Sequence, residues 1–231
     1  RRPPDDPSID TEADIVEAVL RRAGSPAFPV HLVGHSFGGL VMRIFAARHR
    51  GEVAGLVLVD PAHPEDWVAP APKEQQKIDR GLRLCRSGAS AARFGAARLV
   101  NGLVTLGLFG VARALAKIVS RGGLSREDEG ILAPLWKLPL ETRKPLRQFW
   151  TQEKFFEALG SQIQSISTSA AETLAAAPDG YGDLPIVTIS STDSGHYRLR
   201  QQEALAGLSR AGRHIVASNS GHWIPLDQPQ V

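Results

Sequence analysis

The sequence predicts an α/β fold: a mostly parallel sheet with flanking helices, interrupted midway by an inserted helical segment. Three observations predict it. Two near-continuous apolar runs, FPVHLV at 28–33 and VAGLVLVD at 53–60, alternate with helix-like stretches, the pattern of parallel strands buried on both faces. After Asp60 roughly 120 residues pass without a clear strand, too long for a structureless loop in a compact domain. The alternation then returns with LPIVTIS at 184–190 and RHIVAS at 213–218.

Taken in order, RRPPDDPS is Pro-rich and charged and reads as a loop. DTEADIVEAVLRRAG reads as a helix with an apolar stripe of Ile15, Val16, Val19 and Leu20. Asp10 or Thr11 is its cap candidate, Arg21 and Arg22 fill its last turn, and Gly24 stops it. FPVHLV is a strand, SFGGLVMRIFAARHR a helix and VAGLVLVD a strand. The segment 64–183 reads as successive short helices, Ala-, Leu- and Gly-rich at 89–119, with a start signalled at Ser125 and an aromatic-bearing helix over LRQFWTQEKFFEAL. Residues 1–63 and 184–231 then form the core, and 64–183 an inserted helical domain. The four strands, and a chain that stops at Val231 where a closing helix is due, read as a piece of a longer polypeptide.

The chain has 231 residues, 42% of them hydrophobic, enough for one large core. The net charge of +3 comes from scattered arginines, with no basic block or aromatic-interleaved stripe, which argues against a nucleic-acid partner. The single Cys85 excludes an internal disulfide and reads as a small buried hydrophobe. It leans towards a cytoplasmic setting, although the start of the polypeptide is missing and the location is left open. No Cys/His cluster has metal-site spacing, so no metal or organic cofactor is expected. The most apolar stretch, 99–119, carries Asn101, Arg113 and Lys117, so a stable membrane span is not expected. The oligomeric state is not legible.

Between two apolar runs lies GHSFGG. Gly34-His35-Ser36-Phe37-Gly38 fits G-x-S-x-G, which chance produces in roughly one chain in fifteen of this size from average Gly and Ser usage. Its context raises its value, because a strand ends at Val33 and a helix opens at Phe37, as a nucleophile elbow requires. Gly34 and Gly38 are expected to avoid collisions as the backbone reverses over Ser36, and Gly39 to bring the helix close to the sheet. The elbow puts Ser36 in a disfavoured backbone region, at a cost of order 1–3 kcal/mol. In return its hydroxyl stands at a helix N-terminus, where the Phe37 N–H can stabilise an oxyanion.

A serine hydroxyl needs a general base. His222, in SNSGHW directly after RHIVAS, is the leading candidate. His196, in DSGHY, is the rival Ser-Gly-His triplet. His31, His49, His63 and His214 read as structural, and His35 as packing within the elbow. A buried carboxylate should orient the base. Asp60 ends GLVLVD at the sheet edge, and Asp193 follows LPIVTISST by a few residues. Each has a plainer reading, Asp60 as a cap over Pro61 and Asp193 as a turn residue.

With LVGHSFGG, GLVLVDPAHPE, LPIVTIS and SGHWIPLDQP in this order, the sequence resembles the α/β-hydrolase fold family over nearly its whole length outside the insertion. The resemblance implies a serine hydrolase with Ser36 as nucleophile, His222 as base and the insertion as helical cap. Most members carry the acid at the position of Asp193, and some one strand earlier. DPAHP resembles the DPA-x-P segment of pancreatic-type lipases, in which the aspartate is the acid, so Asp60 is preferred and Asp193 kept as the alternative. The resemblance also implies a His-Gly loop that donates a second oxyanion N–H; this chain begins downstream of it, without the first four strands of the fold.

Serine at the elbow argues against the haloalkane dehalogenases and epoxide hydrolases that the sequence also resembles, which use aspartate there. The expected activity is hydrolysis of a carboxylic ester, a small substrate with a hydrophobic acyl or alcohol group suggested by the apolar insertion. The alternatives are an acyltransferase, thioesterase or carbon–carbon hydrolase with the same triad, or a non-catalytic ligand-binding member of the fold.

Overall fold

The computed structural model describes residues 9–22, 28–108, 110–111, 137–192 and 195–231. They divide into two compact units. One holds the described residues from Ile9 to Ala71 together with Ser165–Val231, and the other those of Pro72–Gln164. The inserted segment read as 64–183 from the sequence thus contributes its two ends to the first unit.

In the first unit, helix α1 (Ile9–Arg22) is followed by strand β1 (Val30–His35), helix α2 (Gly38–Arg48) and strand β2 (Val53–Val59). The sheet resumes with β3 (Ile186–Ser191) and β4 (Gly212–Ala217). All three pairings are parallel and the order is β1-β2-β3-β4. Parallel strands end on one edge, so the turns after β1, β2 and β4 open on the same side of the sheet.

Leu32, Leu56, Leu58 and Ile186 project from one sheet face onto Phe45 of α2 in a common buried cluster. Thr188 on that face donates to the Gln202 carbonyl of the later helix Gly195–Ala206. Continuous apolar strands had implied cover on both faces, but these two helices share one. The consecutive strand order explains it, because successive right-handed crossovers return the chain over the same face. On the opposite face Val59, Ile189, Ala217 and Ile224 cluster, while Val33 is 64% exposed.

The stripe expected on α1 is shifted. Ile9 and Ala13 are buried, with Val16 and Leu20 partly buried beside the core, whereas Ile15 and Val19 are exposed. Spacing by four, three and four residues keeps 9, 13, 16 and 20 on one helical face, and 15 and 19 fall beside it. The helix passes through Asp10 and Thr11, so neither caps it; both belong to its first turn.

Beyond β2 come α3 (Glu65–Val68), α4 (Pro72–Arg93), α5 (Ala96–Thr105), α6 (Leu140–Phe149), α7 (Glu153–Gln164) and α8 (Ile166–Ala176). Helix α9 (Gly195–Ala206) and the short α10 (Ile224–Asp227) complete the first unit. The single helix expected over LRQFWTQEKFFEAL is two, broken at Trp150–Gln152. There Thr151 turns back, its hydroxyl donating to the Gln148 carbonyl at 2.8 Å, the local competition by which threonine ends a helix. In the second unit α4 and α7 pack antiparallel at close range. A Cβ on Gly81 would meet Ile163, one on Gly88 would enter the Phe156 ring, and one on Gly160 would touch Cys85. Ser125 lies outside the described residues. No helix among them is long and apolar enough to cross a membrane.

Candidate active site

Ser36 sits where β1 turns into α2, with φ at +54°. Few L-residues adopt that conformation, and the strain costs on the order of 1–3 kcal/mol. Backbone bonds hold it in place. The Ser36 N–H donates to the Val59 carbonyl at 3.0 Å, and the Ser36 carbonyl accepts from Gly39 N–H at 3.0 Å and Ala62 N–H at 3.1 Å. The serine turn is therefore pinned to the chain on either side of Asp60.

The glycines divide unevenly. A Cβ on Gly34 would lie 2.5 Å from the Gly38 carbonyl oxygen, and one on Gly39 2.7 Å from Pro61 Cβ, so both positions need glycine. At Gly38 the expected collision is absent, since nothing lies within 4 Å of an added Cβ. The Phe37 N–H, next to the serine, has no acceptor among the described residues, the condition for a donor that is to receive an oxyanion.

Asp60 leaves β2 at the same edge. It is 4% exposed, its N–H donates to the Ile189 carbonyl at 2.7 Å, and its φ is +39°. Aspartate tolerates the left-handed region better than most residues, but Pro61 immediately after it restricts the same backbone further. His222 comes from the loop after β4, in which Asn219 has φ +56° and Gly221 N–H donates to the Asp227 carboxylate at 3.2 Å. Its Nδ1 lies 2.7 Å from Asp60 Oδ2. The carboxylate accepts the Nδ1 proton, so Nε2 carries the lone pair that a general base requires. The imidazole side chain is 40% exposed, its carboxylate partner 4%.

The structure brings Asp60 and His222 into contact beside the serine turn; a hydrogen bond from Ser36 Oγ to the imidazole is not among those of the described residues. His35 reaches further than elbow packing. Its Nε2 lies 2.8 Å from the His222 carbonyl oxygen, and its ring centroid stands 4.6 Å from that of His222 and 5.1 Å from Trp223. Burial holds the His35 pKa below the usual histidine range. Asp193 and the side chain of His196 lie outside the described residues.

None of the other histidines described with a side chain has a hydrogen bond or ring contact to Ser36, Asp60 or His222 among the described residues. His49 stacks on Phe45, His31 is exposed, and His63 is buried with its pKa pushed down by desolvation. His214 pairs with Ser190 at 2.7 Å, a serine–histidine contact of its own. That serine is fully buried within the sheet, where no substrate carbonyl can approach it. Sequence reasoning did not find the left-handed Asp60 or the contact of His35 with the loop that carries His222. The Asn-Ser-Gly run did signal the turn that presents His222.

The profile of the family described as alpha/beta hydrolase fold matches residues 1–229. Lipase LipV of Mycobacterium tuberculosis is 46% identical over 55 residues, a match covering 24% of this chain and 20% of the lipase. The crystal structure of Cfl2 from Burkholderia cenocepacia superposes with a TM-score of 0.63 at 19% identity, covering 99% of this chain and 70% of that one. A thermophilic esterase from Thermogutta terrifontis gives 0.57 at 17% identity, covering 96% and 68%.

Proposed function

The chain belongs to the alpha/beta hydrolase fold family, and from that premise we propose that it cleaves carboxylic esters through an acyl-enzyme on Ser36. The observation that carries this reading is the 2.7 Å contact between a buried carboxylate and the Nδ1 of a half-exposed imidazole, next to a serine held at positive φ. Three groups with those roles support nucleophilic acyl transfer.

The Ser36 Oγ attacks the ester carbonyl carbon while His222 Nε2 takes its proton. Asp60 stays ionised and stabilises the imidazolium. Charge gathers on the carbonyl oxygen, where the Phe37 N–H and the positive end of α2 receive it. As the tetrahedral intermediate collapses, the imidazolium hands its proton to the departing alcohol and the acyl group remains on Ser36. Water, deprotonated by His222, attacks the acyl carbon; the bond to Ser36 Oγ breaks, the imidazolium returns the proton to Oγ and the carboxylic acid leaves. In this reading the helical segment between β2 and β3 is the cap. The apolar composition of that segment favours a hydrophobic acyl or alcohol group.

The test is labelling with a fluorophosphonate probe, followed by turnover of esters of graded chain length. Wild type should be labelled on Ser36 and Ser36→Ala should not. No labelling of wild type removes Ser36 from the mechanism; labelling without ester turnover points to another acyl-transfer reaction.

A further inference from the structure

His35 precedes the serine in the chain yet grips the residue that carries the base. β1 and β4 are separated by two strands in the sheet, so no ladder hydrogen bond relates the turns that follow them. The contact that does is the 2.8 Å approach of His35 Nε2 to the His222 backbone oxygen. A carbonyl oxygen only accepts, so Nε2 must carry a proton. The ring also packs at 4.6 Å from the His222 ring and 5.1 Å from Trp223.

We infer that His35 is a positioning residue, whose Nε2–H holds the His222 carbonyl and thereby sets the span between the serine turn and the base. The inference rests on the reading of Ser36 and His222 as nucleophile and base. Packing alone would need an aromatic ring at position 35; positioning needs the donor. The charge state fits the role. Burial, the largest influence, opposes a charge on His35; the hydrogen bond to the His222 carbonyl favours it, the His222 imidazole opposes it and the Asp60 carboxylate favours it. A neutral His35 still donates from Nε2, and it spares the His222 imidazolium formed in turnover a second positive charge at close range.

Two substitutions separate donor from ring. His35→Phe keeps an aromatic ring and removes the donor, whereas His35→Gln loses the ring but can put an amide N–H where Nε2 stood. The expected result for His35→Phe is an unchanged melting temperature with kcat down about tenfold to a hundredfold, the scale of a misplaced catalytic group. KM should stay within about twofold, and the rate of fluorophosphonate labelling should fall in parallel with kcat. His35→Gln should recover most of the lost kcat. If His35→Phe folds and turns over like wild type, the ring is packing and the inference is overturned. If His35→Phe does not fold, His35→Gln decides: near-wild-type kcat supports the donor, and a loss equal to that of His35→Ala refutes it. Wild type that is not labelled on Ser36 overturns the underlying reading itself, a result distinct from labelling that proceeds at one rate in wild type and His35→Phe.

Discussion

Asp60 combines three properties that rarely meet in one aspartate: it is 4% exposed, its φ is +39° and a proline follows it. Its conformation costs free energy of order 1–3 kcal/mol, and such strain persists where the surroundings and the function demand it. The surroundings are visible in the N–H bond to Ile189 and the carboxylate bond to His222. Asn accepts the left-handed region as readily as Asp, so Asp60→Asn isolates the charge from the backbone. It should fold normally and lose activity on the order of 10⁴-fold, because the imidazole loses its tautomer control and counter-charge together. Asp193→Asn should turn over almost normally; steady-state kinetics of the two variants with one ester makes the comparison, and the reverse ranking moves the acid to Asp193. The turn at Ser36 was legible from its glycines, one of which, Gly38, proved unconstrained. The preference for Asp60 came from the DPAHP resemblance; its positive φ was not legible, because a backbone dihedral leaves no mark in the sequence.

Among the elements, the strands were the most readable, since runs such as GLVLV can hardly be anything else once a helix follows them. The helices were harder. The predicted stripe of α1 kept Val16 and Leu20 but took in the exposed Ile15 and Val19 in place of Ile9 and Ala13, and the threonine that divides α6 from α7 looks in the sequence like any other polar surface residue. The α4–α7 pair shows what the composition concealed, for its glycines serve contact between the helices rather than flexibility. Alanine at Gly88 would drive its Cβ into the Phe156 ring, a case of overpacking that should cost about 1–3 kcal/mol. At Gly160 an added Cβ would meet Cys85 Cβ at 3.4 Å, an ordinary contact. Gly160→Ala should therefore be neutral or gain up to about 1 kcal/mol from helix propensity. Chemical denaturation of both variants checks this, and equal losses at the two positions would show that the interface does not discriminate by distance.

For the molecule as a whole, acid is the predictable stress. His35, His63 and His214 all have pKa values held below the ordinary 6.5, chiefly by burial. Around His63, Glu65 and Asp66 favour the charge while Arg198 and Arg43 oppose it; Glu203 favours it at His214. The unfolded chain therefore binds protons at a higher pH than the native one. Stability is complete above about 6.5 and falls as pH drops below it, until the native histidines themselves titrate. The exposed carboxylates Glu17 and Asp183 have lowered values, so their small contribution is lost only in more acidic solution, below their ordinary 4.5 and 3.8. Urea midpoints should be flat from pH 8 to 7 and decline towards pH 5, with a shallower decline in His63→Gln. A midpoint that holds or rises on acidification contradicts the assignment.

The bond between His222 and Asp60 ties together residues 162 apart in sequence. Whatever lies between them leaves the sheet after one partner and must come back before the other. The entropy of closing such a circuit grows only with the logarithm of its length, about 0.6 kcal/mol for each doubling. The pair is thus nearly indifferent to how many residues the circuit contains, provided that β3 and β4 keep their register. The sheet edge acts as a fixed address, and the interval from Pro72 to Gln164 becomes the stretch where chain can be gained, lost or exchanged in evolution with the carboxylate and imidazole left where they stand.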